Sequence, residues 1–65
     1  MRRLVTTPGT PPKRPIGSFR VAIANRTWSF SDYGVARDFY EALEDEATLW
    51  EMDDDPRLIV AKIWS

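Results

Sequence analysis

Sixty-five residues with no cysteine and no histidine make at most one small domain, held without disulfides and without the two commonest soft-metal ligands. The same absences remove the usual proton shuttle and the usual thiol nucleophile, and point away from catalysis. The formal charge of −1 hides a strong asymmetry: residues 1–31 carry Arg2, Arg3, Lys13, Arg14, Arg20 and Arg26 with no acid, whereas residues 32–65 carry three basic and ten acidic residues. A field of that kind steers encounters with partners and defines no reaction.

Residues 1–17 read as a flexible, basic, proline-rich arm ahead of a folded domain over 18–65. Pro8, Pro11, Pro12 and Pro15 fall there with Gly9 and Gly17, a composition that favours extended chain over a core. Leu4 and Val5 are its one adjacent apolar pair, and offer a short edge strand. Pro12-Lys13-Arg14-Pro15 meets the minimal PxxP pattern, but two prolines three apart arise in any proline-rich tail and a linker is the better explanation. Thr6 and Thr7 cut the early apolar run short, so neither a secretory signal nor a membrane span is expected, and the location expected is cytoplasmic. Asn25-Arg26-Thr27, which matches a glycosylation acceptor, is then accidental.

From Phe19 the period is two. Phe19, Val21 and Ile23 alternate with smaller or polar residues, and after Asn25-Arg26 the alternation resumes with Trp28 and Phe30 on one face. This predicts a hairpin turning at Asn25-Arg26. Ser31 or Asp32 then caps a helix expected from about 32 to 47, with Ala36, Phe39, Tyr40, Leu43 and Ala47 as its buried stripe. Two further apolar runs, Thr48–Met52 and Leu58–Trp64, flank an Asp- and Pro-rich turn and read as a second hairpin. The fold class expected is α+β: a ββαββ domain with one helix on a four-stranded, mostly antiparallel sheet of order 2-1-4-3.

One helix covers one face of such a sheet, so Trp50, Met52, Val60 and Trp64 are expected on the other face as a protein-binding patch. A second candidate is a negative face formed by Asp38, Glu41 and Asp45 with Glu44, Glu46, Glu51, Asp53, Asp54 and Asp55, presenting carboxylates where a polyanion would otherwise bind; a merely solvated face explains the same charges. The spacing of Asp53, Asp54 and Asp55 lacks the alternation of a cation loop, so no metal or other cofactor is expected. The alternative function is nucleic-acid binding through Arg2, Arg3, Lys13, Arg14 and Arg20 as phosphate contacts, without any reading motif. In size and style the chain resembles the small accessory proteins of phages and mobile elements, which inhibit host machinery by binding it; the resemblance assigns no residues. The function expected is a non-enzymatic module that binds a host or cognate protein, with a homodimer as a further expectation and no membrane partner.

Overall fold

The computed structural model describes residues 2–65, and its first strand forms inside the segment expected to be a loose arm. β1 (Leu4–Pro8) is followed by β2 (Ile16–Ala22), β3 (Thr27–Asp32), α1 (Tyr33–Ala42), β4 (Ala47–Glu51) and β5 (Arg57–Trp64). The fold class is α+β, but the sheet has five strands rather than four, in the order β1-β5-β4-β2-β3, every pair antiparallel. Leu4 opposite Trp64 and Val5 opposite Ile63 set the register of the added strand. Pro8 is tolerated because it ends an edge strand, where a missing N–H costs least.

The arm continues along the sheet after β1. Gly9 and Thr10 donate backbone hydrogen bonds to the carbonyls of Ile59 and Leu58, both at 2.8 Å, and the Lys13 amide donates to the Glu51 carboxylate. A Cβ on Gly9 would lie 2.4 Å from the Leu58 carbonyl oxygen, closer than any side chain is tolerated, and both neighbours are backbone. Gly9→Ala is therefore expected to push β1 from β5 and lower stability by about 1–3 kcal/mol, read as a shift of the urea midpoint at constant slope.

The first hairpin turns one residue earlier than expected. Ile23 donates to the Arg26 carbonyl at 2.9 Å, so Ala24 and Asn25 occupy the turn, and no residue needs a positive φ. Asp32 caps α1, its carboxylate accepting from the Val35 amide at 3.1 Å. The helix stops at Ala42 instead of 47. Glu44, Asp45 and Glu46 would place negative charge on the negative end of the helix dipole, so the chain leaves the helix at Leu43 and Ala47 opens β4.

The short return through residues 43–46 brings β4 to the open side of β2, not to the far edge of the second hairpin. The expected order 2-1-4-3 would have made β2 and β5 parallel neighbours; the observed order keeps every ladder antiparallel. Phe19, Val21, Ala36, Tyr40, Ala47, Leu49, Ile59 and Val60 form the core under the helix. Phe39 roofs one end of it, with ring centroids 4.7 Å from Trp28 and 5.2 Å from Phe30. The helix packs on β2, β3 and β4, its backbone stays clear of β1 and β5 among the described residues, and β5 reaches it through side chains, Lys62 above all. No helix is long and apolar enough to cross a membrane.

Candidate protein-binding surface

Side chains alternate between the two faces of a strand, so the registers sort them. Leu49 is fully buried under the helix and stands opposite Val60, which places Val60 and Lys62 on the helix side of β5, and Trp64 with them. Trp50 faces the other way. It stands between Arg20 on β2 and Leu58 on β5, and its indole N–H donates to the Thr48 hydroxyl at 2.9 Å. Farther along the same face, Ile63 is 50% exposed and stands opposite Val5, which is 37% exposed. The helix-free face therefore carries a band of half-buried and exposed apolar groups from β1 to β4, with Arg20 opposite Trp50 in the ladder. Among the described residues no carboxylate lies within ion-pair distance of Arg20.

The four residues expected to share that face are divided. Val60 is core, only 3% exposed. Trp64 lies across the sheet from Trp50, where its indole N–H donates to Asp45 at 3.0 Å, its backbone N–H donates to Glu46 at 2.9 Å, and the Arg2 guanidinium sits 5.6 Å over its ring. Met52 is half-buried at the start of the β4–β5 turn, its amide bonded to the Ser18 carbonyl. Trp50 keeps its expected place, and Leu58, Ile63 and Val5 join it unannounced.

The acidic residues do not form one surface. Asp38, Glu41 and Asp45 lie on or just after α1, whereas Asp53 and Asp54 lie at the other end of β4. Glu41 is paired with Arg37 at 2.9 Å. The hydrogen bond from Trp64, aided by the Glu46 amide, holds the Asp45 carboxyl below its usual range. Asp53 accepts from the Asp54 amide and is 4.0 Å from Lys13 and 3.7 Å from Arg14; the amide bond first, and those cations after it, hold its pKa down. Asp38 and Asp54 are exposed. Among the described residues no cluster of three or more carboxylates is placed to hold a metal ion.

No family model, no curated protein and no solved structure matches the chain.

Two charged groups sit inside the domain. The Glu51 carboxylate, in a residue 5% exposed, accepts from Arg57 at 2.7 Å and from the Lys13 amide at 3.0 and 3.1 Å; the arginine first, then that amide, hold its pKa below the ordinary value. The Lys62 amine, in a residue 7% exposed, donates to the carbonyls of Tyr40 and Leu43, and burial lowers its pKa. From the sequence, neither Lys13 nor Lys62 has a context that would lower its pKa; for Lys62 the fold corrects that expectation, because its amine is buried. The amine is committed to two helix-end carbonyls, which makes it a structural group. Two concavities flank the sheet. One, of about 540 Å³, is a notch between the first hairpin turn and the end of β5, lined among others by Ala22, Thr48, Asp45 and Glu46. The other, of about 300 Å³, runs between the proline-rich segment and Tyr33 and Arg37 of α1.

Proposed function

We infer that this chain is a non-enzymatic protein-binding module that meets its partner through the helix-free face of the sheet. The observation that carries the reading is the one-sided covering of that sheet: α1 packs on one face, and the other bears Trp50, Leu58, Ile63 and Val5 around an unpaired Arg20. An aromatic anchor beside an arginine is the composition that interface hot spots favour. The partner that fits is a protein presenting an acidic side chain beside an apolar one. An accessory protein that inhibits its target by occupying such a surface is the function this arrangement serves best.

Contacts within the chain support this reading over nucleic-acid binding through the arm. Lys13 and Arg14 lie against Asp53, the Lys13 amide is held by Glu51, and Arg2 stacks on Trp64, so three of the five candidate phosphate contacts already have partners within the chain, Arg3 and Arg20 being the other two.

The test is affinity capture by the full chain at low and high salt, with nuclease, comparing it with Trp50→Ala, Arg20→Glu and Trp64→Ala. Trp50→Ala is expected to weaken capture of a specific protein at least about tenfold, Arg20→Glu to weaken it more at low salt, and Trp64→Ala to leave it unchanged, with all three folded by circular dichroism. Capture that survives Trp50→Ala, or that vanishes with nuclease, would overturn the reading.

A further inference from the structure

The two edges of the sheet are unlike. β1 is bracketed by Arg2 and Arg3 at its start and Pro8 at its end, devices that discourage another strand from adding there. β3 reads Thr-Trp-Ser-Phe-Ser-Asp, with no proline and no lysine, and the irregularity in its pairing falls on β2 between Ile16 and Phe19. Among the described residues nothing pairs with its outer side.

The hydrogen bond from Ile23 to the Arg26 carbonyl fixes which groups point outward. Bonded and non-bonded pairs alternate along an antiparallel ladder, so Arg26, Trp28 and Phe30 turn their N–H and C=O toward β2, whereas Thr27 and Ser29 turn theirs to the open edge. An incoming antiparallel strand must match outward residues with outward residues.

We propose that β3 pairs antiparallel with β3 of a second copy about a two-fold axis at Ser29, joining two sheets into one. The sequence of the strand is self-complementary in that register. Ser29 meets Ser29 of the second copy, Thr27 meets Ser31, Trp28 meets Phe30 and Arg26 meets Asp32. Hydroxyl pairs thus fall on one face, aromatic pairs on the other, and opposite charges at both ends. In the neighbouring register centred on Trp28, Arg26 would meet Phe30 and the charge match is lost. The end groups are ready for the contact: Asp32 caps the helix through Oδ1 alone, and the Arg26 guanidinium lies 5.0 Å over the Trp28 ring, along the strand. The two-fold keeps both helices on one side of the joined sheet. Val35, one turn before Phe39 on the same helix side and 55% exposed, lies at that margin. A contact of one strand with one strand is small, so the dimer is of micromolar affinity and its population depends on concentration.

The inference uses a surface separate from the helix-free face, so the two fail separately. Sedimentation equilibrium of the full chain from low micromolar to near millimolar concentration is expected to show a reversible monomer–dimer equilibrium. Ser29→Lys sets like charges opposite each other on an exposed strand, and Arg26→Glu sets carboxylate against carboxylate; each is expected to weaken the dimer about tenfold or more while leaving the far-ultraviolet spectrum unchanged. The chain has no native cysteine, so single thiols report the register. Ser29→Cys is expected to cross-link rapidly under mild oxidation, because paired Cα atoms about 5.5 Å apart suit a disulfide, whereas Thr27→Cys, opposite Ser31, is expected to cross-link slowly. A chain monomeric over the whole range, a dimer indifferent to Ser29→Lys, or equal cross-linking at 27 and 29 would each overturn the proposal.

Discussion

Lys62→Ala is expected to cost the domain about 2–3 kcal/mol and Lys62→Met about half as much, shifts of roughly 10–20 °C and 5–10 °C in Tm. The reason lies at the end of α1, where the Tyr40 carbonyl accepts only a 3.2 Å bond from the Leu43 amide and the last turn holds no basic residue. Lys62 supplies the missing cation from the sheet, donating to Tyr40 O at 2.8 Å and to Leu43 O, with its ammonium 4.7 Å from the Tyr40 ring. Alanine removes the donors and the buried stem together, whereas methionine restores the stem alone. Unfolding followed by tryptophan fluorescence separates the two contributions, and an alanine variant as stable as the parent would mean the helix end is satisfied without this lysine. The pH dependence has a definite sign. Burial lowers the folded pKa of Lys62, so between that value and the unfolded value of about 10.4 the unfolded chain binds more protons, and stability rises with pH across that window. Lys62→Met loses the rise. Tyr40, whose hydroxyl is pushed up by burial, opposes it: its contribution is present below about 10 and falls away as pH climbs toward its folded pKa. That fall is common to the parent and Lys62→Met, so the difference between these two isolates the lysine.

What the sequence shows and what it conceals divide along physical lines. Alternation in Phe19–Ile23 and Thr27–Ser31 and the capping chemistry of Asp32 are local, and they lead to β2, β3 and the start of α1. Register is not local. The turn over residues 52–56 does not dictate which residue of β5 meets Trp50, and a slip of one residue exchanges the faces of a strand. Leu49 stands opposite Val60 but Trp50 stands opposite Leu58, so Ile59 is extra, a bulge inside a run of aliphatic residues that no composition marks. That pairing sends Val60 and Trp64 to the helix side and leaves Trp50 on the other. Lys62 and Glu51 were equally hidden. A charge in an apolar run reads as outward-facing, and only the assembled helix end and the neighbouring Arg57 give these two a reason to be inside. β1 was partly legible: Leu4 and Val5 mark a short edge strand, while Pro8 and the prolines that follow suppress strand propensity yet are compatible with an edge.

Glu51→Ala is expected to cost about 3 kcal/mol or more, and Glu51→Gln about 1–2 kcal/mol. The carboxylate joins three parts of the chain: its own strand β4, the Arg57 side chain at 2.7 Å and the Lys13 amide in the proline-rich segment at 3.0 Å. Removing it strands a guanidinium that is 25% exposed and whose Nε is already buried without a partner. An unpaired charge there costs more than the pair contributes, which is why alanine is worse than a neutral amide able to accept from Lys13. The bonds from Arg57 and Lys13 depress the folded pKa, so the stabilisation is fully present above the unfolded value of about 4.3 and is lost as pH falls through the folded value. Glu51→Gln, which does not titrate, is expected to lose that part of the acid limb. Hydrogen exchange at the Lys13 amide gives an independent readout: protected in the parent, it should exchange rapidly in Glu51→Ala even in conditions where the domain stays folded. A Lys13 amide still protected in that variant would mean that the bonds of Gly9 and Thr10 to β5 alone hold the proline-rich segment in place, and the buried carboxylate would then serve Arg57 only.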